Sequence, residues 1–209
     1  MANGKVITGF SHPRVALYSH SAGTISYSNG RPLARGVEVS IEPETADDNI
    51  FYADNQAAES AAGIFTRATL SLTCDHPHED AEKMIMGIPD QAGDWMDYDN
   101  DQNVPYVGVG FLVRYMSDAK TTYAPCLLYK CKFNQFPINA ATQEEDIDWQ
   151  TTELEATVLR GDTAKGAWKS IGKDYDTESE ALAALDAKMN IGSSSGGGLT
   201  GGGSDPATP

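Results

Sequence analysis

A run of potential metal ligands lies between Cys74 and Asp80. Its members are Cys74, Asp75, His76, His78, Glu79 and Asp80. A structural zinc site draws its ligands from two clusters at matched spacing, but here Pro77 separates the histidines and no second cluster follows. The run also lies where a predicted strand gives way to a predicted helix, and Asp75 is suited to cap that helix. We therefore interpret it as a helix start rather than a metal site.

A second candidate for metal chemistry is the acidic stretch at residues 90–103. Asp94, Asp97, Asp99, Asp101 and Asn103 place oxygen ligands in a pattern that suggests calcium. An EF-hand loop also needs a glycine at its sixth position and a glutamate at its twelfth, and counting from Asp97 or Asp99 supplies neither. We interpret the stretch as a long exposed loop, with an adventitious calcium site as the alternative.

The sequence offers no recognisable catalytic set. There is no G-x-S-x-G pattern, no Ser, His and acid combination and no phosphate-binding glycine loop. Gly108 and Gly110 lie within a predicted strand, where small residues suit packing under a helix. Trp149 and Trp168 are better explained as buried or interface aromatics than as ligand platforms. The sequence thus predicts no catalytic residue, no cofactor and no metal.

Charge and cysteine content limit the binding partners and the cellular compartment that can be expected. Thirty acidic residues against 15 basic ones give a formal net charge of -15, which disfavours binding to DNA phosphates or anionic membranes. The 3 cysteines form no disulfide framework, because Cys126 and Cys131 lie five apart on one predicted strand and should face opposite sides. We expect free thiols in a reducing cytoplasm, and no stretch has the roughly 18 apolar residues of a membrane span.

Alternation of apolar and polar residues predicts most of the structure as strands. The predicted strands are residues 15–18 and 24–27, which flank a turn at 19–23, followed by residues 37–42, 68–74, 107–115, 123–133 and 154–158. Residues 118–120 are predicted to form a further turn. The spacing of apolar residues predicts a short helix at residues 79–88. Thr177 and Glu180 form a capping-box pattern ahead of a second helix of about three turns.

These elements predict a mainly β fold. It is an antiparallel sandwich or partly open barrel, with one flanking helix and a second helix near the C-terminus. Residues 1–190 form the β domain. Residues 191–209 are a Gly/Ser-rich flexible tail, which is either a cloning remnant, a vestigial linker or a tether to a further module.

Residues 37–55 are the most unusual segment. Val37, Val39 and Ile41 alternate with Glu38, Ser40 and Glu42, and the strand then runs into a loop that contains acids without a single base. An isolated domain gains little from such an excursion. The segment indicates a subunit that contacts a neighbour, so it points to assembly rather than catalysis.

Several long motifs, in order, resemble the major tail proteins of long-tailed bacteriophages. They are LARGVEVSIEPETADDNIFYADN, AAGIFTRATLSLTCDH, AEKMIMGIP, VPYVGVGFLVRYMSD, KFNQF and TQEEDIDWQTTELEATVLR. The resemblance covers residues 1–189. It implies a tail tube fold and a structural subunit, not an enzyme. Such subunits close into hexameric rings that stack around the channel through which the viral genome leaves.

The resemblance also implies partners and contact residues. The partners would be further copies of the chain, the tape measure protein, the tail terminator and the distal tail protein. DNA would pass through the channel without specific binding, and no membrane would be involved. The chain would be made in the host cytoplasm and located in the virion tail. Residues 42–56 would form the long hairpin loop that reaches a neighbour, with contacts from Glu42, Glu44, Asp47, Asp48, Phe51, Tyr52 and Asp54.

The clustered acids also lead us to expect a negatively charged channel. A negatively charged channel would deny DNA the counterion release that makes basic surfaces adhesive, so the genome could slide. The alternative interpretation of the chain is an acidic β-sandwich module that binds carbohydrate or calcium through the Asp-rich loop and exposed aromatics. Self-association would favour the tube subunit, and a monomer stabilised by calcium would favour the module.

Overall fold

Strands make up most of the fold. The computed structural model describes residues 4–47, 49–53, 56–61, 63–89, 95–142 and 149–192. In chain order the elements are β1 (Val6–Ser21), β2 (Thr24–Pro32), β3 (Gly36–Thr45), β4 (Asn49–Ala53), β5 (Gln56–Ala61), β6 (Phe65–Cys74), α1 (Glu79–Met86), β7 (Val107–Ser117), β8 (Lys120–Phe133), β9 (Thr152–Leu159), β10 (Lys169–Ile171) and α2 (Glu178–Lys188). The expected mainly β fold with two helices is confirmed.

The main sheet is antiparallel and open. Its strands follow the order β2-β1-β7-β8-β9-β6-β3, and β10 pairs with β8 beside this path. β2 and β3 are the two edges and do not pair with each other, whereas β4 and β5 form a separate two-stranded sheet. The predicted hairpin between β1 and β2 is confirmed, with a turn of only Ala22 and Gly23. Both residues have positive φ, as a tight hairpin turn requires.

The sheet curls so that the inner side of β6 and β9 packs against the inner side of β7 around one core. Leu70, Leu72 and Leu154 from β6 and β9 join Val109 and Phe111 from β7 in a single buried cluster. β1 and β3 come close without pairing, and a Cβ on Gly36 would meet the Phe10 ring. The curl turns one face of the strands toward the core. The residues on that face are apolar because they are buried, and this produces the alternation seen in the sequence.

A β-bulge in β8 places both cysteines of that strand in this core. Leu128 pairs with Val109 and Cys131 with Val107, so β8 advances one residue further than β7 between these pairs. Cys126 and Cys131 therefore share the inner core, and the prediction that they face opposite sides is wrong because simple alternation ignores a bulge. Both are free thiols, as is Cys74.

Helix α2 covers the outer face of β7 and β8. Ala181, Leu185 and Met189 are buried there against a second, smaller apolar cluster. Thr177 caps the helix as predicted, because the Glu180 N–H donates to Thr177 Oγ1 at 3.3 Å. The Glu180 carboxylate accepts from the Thr177 hydroxyl at 2.9 Å rather than from the Thr177 backbone N–H, so one half of the predicted capping box forms. Sequence therefore located the start of this helix and its local stabilisation.

Helix α1 begins at Glu79, as predicted, but its N-cap differs from the prediction. Its N-cap is His78, whose side chain makes no capping hydrogen bond. Asp75 instead accepts hydrogen bonds from the Arg35 backbone N–H at 2.8 Å and from Arg35 Nε at 2.6 Å. The predicted capping role of Asp75 is wrong, because a cation distant in sequence and adjacent in the fold holds the carboxylate.

Candidate assembly surfaces

The predicted contact residues lie on a hairpin that extends beyond the main sheet. Glu42 and Glu44 belong to strand β3 rather than to a loop, and Asp47 is exposed after the end of that strand. Phe51 and Tyr52 belong to β4. Asp48 and Asp54 lie outside the described residues. Strands β4 and β5, which we name the arm, pair only with each other among the described strands.

Polar and aromatic contacts fix the base of the arm. Arg67 Nε donates to Glu44 Oε2 at 2.9 Å, and Thr66 Oγ1 donates to the Glu44 carbonyl at 3.1 Å. The Phe65 and Trp168 rings stack with centroids 4.4 Å apart and planes 4° from parallel. The stack joins β6 to the segment before β10.

The outer face of β3, β6 and β9 is polar and acidic. Glu38, Thr73 and Glu153 occupy one cross-strand row, and Ser40, Ser71 and Glu155 occupy the next. Glu42, Thr69 and Thr157 form a third row, which ends at Lys132 of β8. These side chains are exposed or half-buried, and Ser71 Oγ donates to Glu153 at 2.9 Å. Carboxylates and short hydroxyls thus predominate in these three rows, and Lys132 is the basic residue at the end of one of them.

An apolar groove of about 400 Å³ opens between β3 and the strands opposite it. Its lining includes Phe10 of β1, Val39 of β3, Val113 of β7 and Ile171 of β10. β3 pairs with β6 on one side and with no described strand on the other. Residues 6–11 of β1 pair with β7, while β2 pairs with β1 only from Arg14 onward. The groove therefore lies between two strand edges that the described residues leave unpaired.

The opposite edge of the sheet, β2, is covered by the chain itself. Asn190 Nδ2 donates to the Tyr27 carbonyl of β2 at 3.1 Å. Ile191 lies so close to Gly30 that a Cβ there would come within 2.3 Å of Ile191 Cγ1. Exposed sheet edges promote pairing with other chains, and covering them prevents it. Among the described residues, the outer edge of β3 is therefore accessible, whereas part of the β2 edge is covered.

The candidate metal ligands are held in other interactions. Cys74 is buried, and burial, followed by the nearby Asp75 charge, raises the pKa of its thiol to about 11. Desolvation opposes ionisation of Asp75, but hydrogen bonds from Arg35 and from the His76 backbone lower its pKa to about 2. In the acidic loop, Asp99 Oδ1 accepts from the Asp101 N–H at 2.8 Å. Within the described ranges, no group of three or more His, Cys, Asp or Glu is placed to hold a metal ion.

Two polar clusters escaped sequence analysis because their members are far apart in the chain. Glu82 is buried and accepts a hydrogen bond from the Tyr98 hydroxyl, which ties the acidic loop to α1. Burial, and to a smaller extent the hydrogen bond to Glu82, raises the pKa of Tyr98.

The second cluster is centred on Asp162. Asp162 accepts hydrogen bonds from Lys130 Nζ at 2.7 Å and from the Tyr18 hydroxyl at 2.8 Å. These hydrogen bonds lower the pKa of Asp162, and the one from Lys130 has the larger effect. The carboxylate therefore stays ionised and holds Lys130 and Tyr18 in place rather than acting as an acid.

No described helix has the length and apolar composition needed to cross a membrane. The chain matches no protein-family model and no curated protein.

Proposed function

We propose that the protein is a structural subunit of a phage tail tube, in which hexameric rings stack around a channel for the viral genome. The proposal starts from the ordered motifs that resemble major tail proteins. The observation that carries it furthest is the asymmetry of the sheet edges. Asn190 covers part of β2, whereas β3 has no second partner among the described strands and leads into the arm. An asymmetric subunit of this kind suits a head-to-tail interface, which closes into a ring when the rotation closes.

The acidic outer face of β3, β6 and β9 is the surface that we assign to the channel. Its rows contain Glu38, Glu42, Glu153 and Glu155 and no bulky apolar side chain. Such a face repels phosphates and offers DNA no counterion release, which suits passage without binding. In this proposal the subunit has a structural role rather than an enzymatic one. Its place is the virion tail.

Electron microscopy of the purified protein tests the proposal directly. We expect rings or hollow tubes in negative stain, and light scattering that rises with protein concentration. A stable monomer whose melting temperature rises with calcium would overturn the proposal and favour the binding-module alternative. Microscopy is preferable to an activity assay because assembly is the predicted function.

An arm-deleted variant sharpens the test. The Ala46 N–H donates to the Ile64 carbonyl at 2.9 Å, so the strands there are close enough for a two-residue Asn-Gly turn to replace residues 47–63. We expect this variant to fold as a monomer and to form no tubes. Normal tubes from the variant would show that the arm is dispensable for assembly.

A further inference from the structure

We infer that the apolar groove beside β3 is a binding site for a free fatty acid, with the carboxylate at Lys169 and the aliphatic chain along the groove. The inference goes beyond the proposed function and does not depend on it, because every residue that it uses lies in one described chain. Its basis is the depth of the groove, its apolar lining and the lysine at one end.

The floor of the groove is buried, so the groove is a cleft and not a flat surface patch. Phe111 and Cys126, which pair across β7 and β8, line it and are 2% and 3% exposed. The walls above them are open, since Ile7 and Ile171 are 65% and 53% exposed. A volume of about 400 Å³ and a mostly apolar lining are typical of binding sites for small molecules.

Strand pairing gives the groove its length. Ile7 of β1 pairs with Tyr115 of β7 near one end. Near the other end, Lys169 of β10 pairs with Leu128 of β8, which in turn pairs with Val109 of β7. The positions of Val109 and Tyr115 along β7 correspond to a separation of about 20 Å. An extended aliphatic chain suits such a cleft, because its apolar surface is removed from water along its length.

Lys169 gives one end of the groove a positive charge. Its Nζ lies 4.7 Å from the centroid of the Trp168 ring, which holds the ammonium group in place without neutralising it. Within the described part of the chain, no carboxylate forms an ion pair with Lys169. Four other lysines do have a carboxylate within 2.7 Å: Lys5, Lys83, Lys120 and Lys130. Burial raises the pKa of the Cys126 thiol on the floor, and the Lys169 charge partly opposes this rise, so its field extends into the groove.

The second charged residue of the lining sets the orientation of the ligand. Glu38 lies close to Gly36, where β3 begins. β3 ends at Thr45, whose pairing partner stacks on Trp168, the residue before Lys169. Glu38 and Lys169 therefore lie towards opposite ends of the groove. A carboxylate is repelled from the Glu38 end and attracted to the Lys169 end, and the aliphatic chain extends between them.

The formal net charge of -15 does not prevent a carboxylate from binding here. Exposed charges that are more than about 10 Å apart are largely screened at 0.1 M salt. The nearest charge, that of Lys169, therefore has the largest effect on the head group. Most of the affinity comes from burial of the aliphatic chain, which does not depend on charge.

Isothermal titration calorimetry with three ligands of equal chain length tests the site. The full chain is titrated with decanoate, decanol and decyltrimethylammonium below their micelle concentrations, at a protein concentration where light scattering shows no self-association. We expect one decanoate per chain and about fivefold weaker binding of decanol, with decyltrimethylammonium weaker still. Binding of either of the last two as tightly as decanoate would overturn the inference.

Replacing the lysine separates a specific head-group contact from a general effect of charge. Lys169→Gln should weaken decanoate binding about fivefold and decanol binding less than about twofold. The matched control is Lys173→Gln, which removes the same charge at an exposed residue outside the groove lining. Equal losses of decanoate affinity in the two variants would contradict a carboxylate site at Lys169.

Substitutions in the walls locate the aliphatic chain. Val37→Ser and Ile171→Ser alter groove residues that are 61% and 53% exposed, so the fold should tolerate them. Each should weaken both decanoate and decanol about threefold, because apolar contact is lost. Ile138→Ser, at a side chain that is 85% exposed and outside the groove, should change neither affinity. Unchanged binding in both groove variants, or binding without a fixed stoichiometry, would overturn the inference.

Discussion

Gly110 of β7 lies directly beneath Leu185 of α2, and a Cβ on Gly110 would come within 2.7 Å of Leu185 Cδ1. The same Cβ would lie 2.5 Å from Met189 Sδ. A methyl group there must displace the helix or force its side chains out of place. We expect Gly110→Ala to lower the free energy of unfolding by about 1–3 kcal/mol, measured by urea denaturation.

A second strand glycine provides the control for this prediction. Gly9 of β1 has no heavy atom within 4 Å of the position that a Cβ would occupy. Gly9→Ala should leave stability unchanged or slightly raised, because alanine restricts the unfolded chain. Equal losses at both positions would show that the cost comes from strand glycines in general and not from α2.

The start of α2 supplies another prediction. Thr177 Oγ1 accepts from the Glu180 N–H, whereas His78 makes no comparable side-chain contact at the start of α1. Thr177→Ala should therefore lower the free energy of unfolding by about 1 kcal/mol. His78→Ala, at an exposed N-cap, should change it by less than about 0.5 kcal/mol. Thermal unfolding followed by circular dichroism measures both, and a larger loss at His78 would contradict the assignment of the caps.

Local sequence patterns explain why much of this fold was predictable. The side-chain cap at Thr177 acts within one helical turn, so its residue types indicate its role. The small residues Gly108 and Gly110 indicated a place of close packing, but only the structure shows that their neighbours are Tyr27 and α2. Strand alternation is equally local, and the apolar row of β7 was identified from it. These features depend on period and residue size, which the sequence displays directly.

Long-range features account for the incorrect or missing assignments. The bulge in β8 moves Cys131 to the same face as Cys126, and Arg35 takes Asp75 away from the helix cap. Neither event leaves a local signal, because each depends on which distant segment lies alongside. The stack of Phe65 on Trp168 at the base of the arm was missed for the same reason. The edge asymmetry of the sheet likewise becomes visible only in the folded chain.

The cysteines should be unreactive in the folded protein. Burial is the main cause that raises the pKa of Cys74 and of Cys126 to about 11, and burial also raises the pKa of Cys131. Very little thiolate is then present at pH 8, and the thiols are also shielded sterically. Ellman's reagent should detect no rapidly reacting thiol in the native state and all 3 cysteines in guanidinium chloride. A rapid native reaction would contradict the burial of these residues.

Acid should weaken the Asp75–Arg35 contact. Although desolvation opposes it, hydrogen bonding to Arg35 lowers the pKa of Asp75 to about 2, against 3.8 for an unperturbed aspartate. Because the folded value is the lower one, the carboxylate stabilises the fold above pH 3.8, and this contribution is lost as pH falls towards 2. Asp75→Asn should therefore differ from the parent at pH 6 and converge with it near pH 2, in urea midpoints measured across that range.

Glu79 provides the comparison for this titration. Its hydrogen bond and charge interaction with Lys83 lower its pKa, but it is fully exposed. Solvent screens such a pair, so Glu79→Gln should show a smaller dependence on pH than Asp75→Asn. Similar profiles for the two variants would mean that the distant contact with Arg35 contributes no more than a pair within one helix.

The acidic outer face yields a prediction for assembled tubes. Replacing Glu153 and Glu155 with lysine converts a face assigned to the channel from repulsive to attractive for phosphates. Tubes of this variant should bind short double-stranded DNA at low salt and release it as salt rises, because binding then depends on counterion release. Replacing Asp97 and Asp101 with lysine changes the formal charge equally on the exposed loop.

Nuclease treatment identifies where the DNA is bound. DNA held inside a tube is shielded, so the variant at Glu153 and Glu155 should retain DNA that survives digestion. DNA attracted to the loop variant should be digested, since the proposal assigns the face of β3, β6 and β9, and not that loop, to the channel. If DNA on both variants is digested equally, the face of β3, β6 and β9 does not line the channel. Glu153 and Glu155 would then lie on the outside of the tube.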